Sequence, residues 1–132
     1  MRGVKTHLYA PLLITVAVLA ACVSGPREIP PDLTKAELFQ RAQEAVDAEN
    51  WEDAQRHYRS FIDRFPLDRG GIAEARYELA FIEYKQERYE LARRMFQELL
   101  AEYEADGTGE LPEWPRVLSE RLIEIIDDRT EV

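Results

Sequence analysis

Apolar residues recur at every third or fourth position after residue 34, which is the period of an α-helix. One such face ends at the stretch AEN, and a second face ends at Pro66. The first face contains Leu38, Ala42, Ala45 and Val46, and the second contains Trp51, Ala54, Tyr58, Phe61, Ile62 and Phe65. Thr34 and Glu37 fit the capping box T-x-x-E at the start of the first helix. The pattern therefore predicts a hairpin of two helices.

A second pair of apolar faces follows the stretch LDRGG. Its members are Tyr77, Leu79, Ala80, Phe81 and Tyr84 on one helix, and Tyr89, Ala92, Met95, Phe96, Leu99, Leu100 and Tyr103 on the next. The two pairs align at a constant offset of 38 residues, which places Ala42 on Ala80 and Ala54 on Ala92. We therefore expect an all-α domain over residues 34–132, with repeats at about 35–68 and 73–106.

The stretch AEARYELAFIEYKQERYELARRMFQELL, residues 73–100, resembles the consensus of the tetratricopeptide repeat, a helix-turn-helix unit of about 34 residues. Small residues such as Ala80 and Ala92 let the two helices of a pair approach closely. The longer spacing between the units and the motif A-R-Y-x-L-A are more similar to the BamD type of outer-membrane assembly lipoprotein. The resemblance implies a tetratricopeptide-like stack of two helical hairpins.

One further apolar face lies near the end of the chain, where Pro115 fits the first turn of a helix. This face consists of Trp114, Leu118, Leu122, Ile125 and Ile126. A repeat array exposes apolar surface at its end unless another element covers it. We expect a capping helix over about residues 114–129. The alternative is that this face docks a partner helix or a second copy of the chain.

The start of the chain has a different character from the repeats. Arg2 and Lys5 precede the apolar run LLITVAVLAA, which is shorter than the ~20 residues that a membrane-spanning helix needs. The run ends in L-A-A-C, which resembles the bacterial lipoprotein box. The resemblance implies that residues 1–21 are a signal peptide and that Cys22 carries the lipid, palmitate included, that anchors the mature chain. The alternative is a buried or free Cys22 thiol in an N-terminal transmembrane anchor.

Residues 22–33 connect this cysteine to the first helix. The stretch VSGPREIPPD is rich in Pro, Gly and Ser and has no helical or strand period, so it predicts a flexible tether. Ile29 and Leu33 leave open the alternative of a leader packed along the first helix.

The net charge of the chain excludes some classes of binding partner. The chain has 17 Lys and Arg against 26 Asp and Glu. Cleavage before Cys22 would remove two basic residues and leave a net charge of −11. A chain this acidic is repelled by nucleic acid phosphates, so we expect no nucleic acid partner. It also offers no basic patch for anionic lipid head groups, so the lipid itself must hold the chain to a membrane.

Candidate catalytic chemistry is sparse. Cys22 is the one cysteine of the sequence, so no intramolecular disulfide can form. By its spacing, His57 points away from the main apolar stripe of its helix and is expected on the surface. The Asp127-Asp128 pair is expected on a solvated helix end. The loops DRGG and DGTG follow predicted helices, whereas phosphate-binding glycine loops follow strands. We expect no enzyme activity, no metal site and no cofactor.

Candidate binding residues come from the resemblance alone. In tetratricopeptide stacks the first helix of each hairpin lines the concave side. The matching positions are Phe39, Gln43 and Val46 in the first repeat and Tyr77, Phe81 and Tyr84 in the second. We expect a protein or peptide partner to bind there. Core burial is the alternative for Tyr77 and Phe81.

These features predict a membrane-anchored adaptor, and the resemblance implies the bacterial cell envelope and a role in outer-membrane protein assembly. Val23 stands where enteric bacteria use aspartate to retain lipoproteins in the inner membrane. We therefore expect the outer membrane, on the side that faces the periplasm. Two alternatives are open: a self-associating structural lipoprotein of the envelope, and a scaffold linked to division or peptidoglycan.

Overall fold

The computed structural model describes residues 28–130. Five helices follow one another within this part of the chain, which contains no strand. They are α1 (Lys35–Asp47), α2 (Trp51–Arg64), α3 (Arg69–Lys85), α4 (Tyr89–Ala105) and α5 (Glu113–Thr130). The pairs α1 with α2 and α3 with α4 form two hairpins, called here the first and second units. The prediction of an all-α hairpin stack followed by a C-terminal helix is confirmed.

The first helix begins where its capping box predicts. The Thr34 hydroxyl accepts a hydrogen bond from the backbone N–H of Glu37, and the Glu37 carboxylate accepts one from the backbone N–H of Thr34 at 2.8 Å. Helix α3 is capped by the Asp68 carboxylate, which accepts a hydrogen bond from the N–H of Gly71 at 3.0 Å. Both caps satisfy backbone donors that a helix start otherwise leaves unpaired.

The turns inside the two hairpins are copies of each other. Glu49 and Glu87 both adopt positive φ angles, of 54° and 60°. The next N–H in each turn bonds back to the helix, from Asn50 to the Ala45 carbonyl at 2.8 Å and from Arg88 to the Glu83 carbonyl at 3.0 Å. Each matching pair of residues is separated by the offset of 38 that the sequence shows. The repeat therefore extends to the backbone geometry of the turns.

The core consists of two clusters, each mainly within one unit. The four aligned alanines, Ala42, Ala54, Ala80 and Ala92, are completely buried. Tyr58 and Phe96, which also align, are completely buried as well. Small residues at the helix contacts and large rings beside them fill the space between paired helices. The superposition of the two repeats is thus reproduced in the packing.

Helix α5 packs on the second unit with a face that only partly coincides with the predicted stripe. Its buried residues are Pro115, Ser119 and Ile126, and Leu122 and Ile123 are partly buried. Two members of the predicted stripe, Trp114 and Leu118, are 38% and 42% exposed. The smaller Pro115 and Ser119 side chains are buried instead, which allows close packing of α5 on its neighbours.

The described part of the predicted tether, residues 28–33, packs on the first unit. Leu33 is buried and Ile29 packs on the same cluster. The Arg64 guanidinium donates hydrogen bonds to the carbonyl oxygens of Pro30 at 2.8 Å and Ile29 at 3.2 Å. This arrangement matches the alternative of a packed leader, because two apolar side chains and two hydrogen bonds from Arg64 hold the segment against the first unit. Residues 22–27 lie outside the described part.

His57 also differs from its expected place on the surface. It is only 7% exposed, and its Nδ1 lies 2.8 Å from the carbonyl oxygen of Asp53. Helix α2 packs against both α1 and α3, so its buried surface is wider than one apolar stripe. The nearest carboxylate oxygen, on Asp53, is 3.7 Å from Nδ1.

Candidate partner-binding surface

The predicted binding residues of the first unit lie on α1 at different depths. Phe39 is half-buried, and its ring meets the rings of Tyr58 and Phe61 edge-on at 5.4 and 4.7 Å. Val46 is half-buried against the first-unit cluster. Gln43 is exposed, and its side-chain amide donates a hydrogen bond to the Tyr58 hydroxyl. The first unit therefore offers one polar and two partly covered apolar positions.

The three predicted residues of the second unit form a row of stacked rings along α3. The rings of Tyr77 and Phe81 stack with centroids 6.1 Å apart, and those of Phe81 and Tyr84 with centroids 6.0 Å apart. Tyr77 is buried at 6% exposure, whereas Phe81 and Tyr84 are half-buried. Burial raises the pKa of the Tyr77 phenol to about 12. The alternative of core burial therefore describes Tyr77, and the other two rings remain partly accessible.

Helix α5 covers both ends of this row. The Trp114 ring meets the Tyr77 ring edge-on at a centroid distance of 5.0 Å. At the other end, the Arg129 guanidinium lies over the Tyr84 ring at 6.0 Å. Its Nη1 also donates a 3.3 Å hydrogen bond to the Tyr89 hydroxyl. The C-terminal helix thus borders the aromatic row and leaves its middle, Phe81, half-buried.

Two carboxylates beside this surface were not among the predicted site residues. Glu78 is half-buried, and its burial raises the pKa of its carboxyl group, while a hydrogen bond with Gln43 acts in the opposite direction. Glu83 is buried at 5% exposure and accepts hydrogen bonds from Gln55 at 2.6 Å and from Arg88. The equivalent residue of the first repeat is Ala45. The replacement of this alanine by a charged residue was the one sequence signal for Glu83. Each carboxylate of the second unit therefore forms a hydrogen bond with a glutamine of the first, Glu78 with Gln43 and Glu83 with Gln55.

The predicted lipidation residue, Cys22, lies outside the described residues, so its surroundings are not part of this surface. Between residues 28 and 130, no helix combines the length and apolar character required to cross a bilayer. That same part of the chain contains no group of three or more His, Cys, Asp or Glu residues arranged to hold a metal ion.

Comparison with known proteins agrees with the helical architecture. A family model described as "Tetratricopeptide repeat" matches residues 26–107, which include both units. The chain is similar to an "Uncharacterized protein" of Treponema pallidum (strain Nichols), with 40% identity over 111 residues. The matched region covers 83% of this chain and 44% of that relative, so the chain spans less than half of the relative's length. No solved structure shows a significant match.

Proposed function

The chain belongs to the tetratricopeptide repeat family, a protein-interaction fold, and on this basis we propose that it is a lipid-anchored adaptor of the bacterial cell envelope. In this proposal α1 and α3 bind a protein or peptide partner, and acyl chains on Cys22 hold the domain at the membrane. The chain acts without catalysis. The observation that carries the proposal is that two tetratricopeptide units follow an L-A-A-C motif that resembles a lipoprotein box.

The partly exposed rings of α3 support the binding half of the proposal. Phe81 and Tyr84 stack on each other and on the buried Tyr77, so their positions are fixed before any partner arrives. Rigid aromatic side chains bind at low entropic cost and commonly supply most of the energy of an interface. Gln43 adds an exposed amide on α1.

The sequence around Cys22 supports the anchoring half. One acyl chain binds a bilayer only marginally, whereas two or three hold firmly. A relative in the bacterium Treponema pallidum fits a chain processed by bacterial lipoprotein enzymes. Val23 favours the outer membrane, and the similarity to the BamD type favours a role in outer-membrane protein assembly. The exclusion of nucleic acid partners rests on the acidic net charge.

Photocrosslinking tests partner binding directly. We expect benzoylphenylalanine at Phe81, in the full-length protein in its own membranes, to form a defined adduct with a protein partner. The matched control is the same group at Leu91, a half-buried position on α4, the second helix of its hairpin. An adduct at both positions, or at neither, contradicts binding at the aromatic row.

Metabolic labelling with a palmitate analogue tests the anchor. The Cys22→Ser variant is expected to lose the label completely and to leave the membrane fraction or remain unprocessed, because sulfur is the acceptor of the lipid. The unchanged protein is the control. A serine variant that still takes up label and floats with membranes would show that the lipoprotein-box interpretation is wrong.

Self-association is a second candidate function because α5 presents exposed apolar side chains. Trp114, Val117 and Leu118 are 38%, 46% and 42% exposed. Light scattering of the detergent-solubilised protein tests this candidate. A concentration-dependent dimer that is lost in Leu118→Glu favours a structural role, whereas a monomer at all concentrations rejects it.

A further inference from the structure

The segment before α1, residues 28–33, is called here the leader, and its first residues lie beside the C-terminal end of α2. Arg64, the last residue of that helix, holds the carbonyl oxygens of Pro30 and Ile29 at 2.8 and 3.2 Å. The Ile29 side chain packs on the first-unit cluster, which fixes the same segment from its apolar side. Any chain that precedes Glu28 must therefore start from this end of the first unit.

An unusually exposed apolar residue lies at the same end. Leu67, in the loop between α2 and α3, is 94% exposed, and Pro66 beside it is also exposed. The loop borders a shallow surface formed with Lys35, Arg64 and Phe65. The Lys35 ammonium lies 5.3 Å from the centre of the Phe65 ring and 2.6 Å from an Asp68 carboxylate oxygen. The surroundings of Leu67 thus carry both signs of charge, and the apolar tip itself suits the boundary between lipid head groups and acyl chains.

The length of chain outside the described residues limits where a lipid on Cys22 can lie. Five residues separate Cys22 from Glu28, and the six Cα–Cα steps that join them span at most about 22 Å when fully extended. Helix α1, with 13 residues, is itself about 20 Å long. The turn at Ala48, at the far end of α1, is about one helix length farther than Leu67 from the end of the domain where residues 28–33 are held by Arg64.

We propose that the loop Pro66–Leu67 is a membrane-contacting surface, which orients the domain with the leader end toward the lipid and the Ala48 turn away from it. This inference rests on the proposed lipidation of Cys22 and adds the face through which the anchored domain meets the bilayer. Lipid is the occupant because the anchor would bring this loop to within one short tether of the bilayer surface. The apolar tip lies on that side of the domain.

Site-directed fluorescence on the lipidated full chain tests the orientation. Lipidation converts the sulfur of Cys22 into a thioether, so Leu67→Cys or Ala48→Cys would carry the one free thiol of the mature protein. Both positions are exposed, so both variants are expected to fold and to take a nitrobenzoxadiazole label. The labelled proteins are reconstituted into phosphatidylcholine vesicles with or without lipids that carry a nitroxide near the head group.

The two variants should then differ. The label at position 67 is expected to shift its emission to shorter wavelength and to lose intensity with nitroxide lipids, and the label at position 48 is expected to do neither. Equal behaviour of the two labels on protein that floats with the vesicles overturns the orientation and leaves the adaptor proposal standing. Absence of lipid on Cys22 overturns both.

Discussion

Gly70 and Gly71 are neighbours in the first turn of α3, but their surroundings differ. A Cβ atom at Gly71 would lie 2.8 Å from Cε1 of Phe61 and nearer still to its Cζ. Phe61 is 2% exposed and packs against Phe39, so its ring cannot move aside easily. At Gly70 the nearest atom is Cδ of Pro112, at an ordinary 3.6 Å. Close packing therefore requires glycine at only one of the two positions.

Alanine substitutions at these two positions should change stability in opposite directions. Gly71→Ala is expected to lower the free energy of unfolding by about 1–3 kcal/mol through overpacking against Phe61. Gly70→Ala is expected to raise it by about 0.5–1 kcal/mol, because alanine restricts the unfolded chain and is favoured in a helix. Urea denaturation followed by circular dichroism measures both. Equal effects of the two substitutions would contradict the close contact at Gly71.

At the scale of the helices, the pairing inside each unit depends on small residues at equivalent positions. Ala54 on α2 and Ala92 on α4 are both completely buried, and both belong to clusters that contain a completely buried ring, Tyr58 or Phe96. Because interiors are packed at crystal-like density, these helix contacts have no room for a larger side chain.

Leucine at either alanine is therefore expected to destabilise its hairpin. Ala54→Leu and Ala92→Leu should each lower the free energy of unfolding by about 1–3 kcal/mol. Ala101→Leu, at an exposed position of α4, is the matched control and should change it little. Thermal unfolding of the three variants makes the comparison. Unchanged melting temperatures in both buried variants would contradict the equivalence of the two units.

At the scale of the whole molecule, Glu78 is one of the residues that lie between the units. It belongs to α3 of the second unit and shares a hydrogen bond with Gln43 of the first. Its burial raises the pKa of its carboxyl group above the ordinary 4.5. The folded chain therefore holds a proton that the unfolded chain releases at a lower pH. The free energy of unfolding therefore falls as the pH rises from 4.5 through the raised pKa of Glu78. Above that pKa, the buried charge keeps the protein less stable than it would be with a neutral side chain.

Glu78→Gln should remove the loss of stability that the buried charge causes. The variant is expected to have a higher melting temperature than the unchanged protein at pH 7, and the difference should shrink as the pH falls below 4.5. Glutamine can still hydrogen-bond with Gln43, so the contact between the units is kept. Glu98→Gln, at an exposed position of α4, is the control for the loss of one negative charge. The same gain in both variants would refute the burial effect.

The sequence by itself determined the features that depend on neighbours along the chain. The helical period, the Thr34–Glu37 capping box and the offset of 38 residues predicted the two hairpins and the C-terminal helix. These signals are local because helix hydrogen bonds join residues four apart. The buried alanines followed from the same alignment, since equivalent positions in two repeats meet equivalent surroundings.

Only the tertiary structure decided which faces are covered by distant parts of the chain. Helices that meet only after folding decide three such features. These are the face that α5 buries, the burial of Tyr77 beneath Trp114 and the burial of His57. The packing of Ile29 depends equally on Arg64, which lies 35 residues farther along the chain. A helical period gives the direction of an apolar face, but contact with a second element decides how wide the buried face becomes.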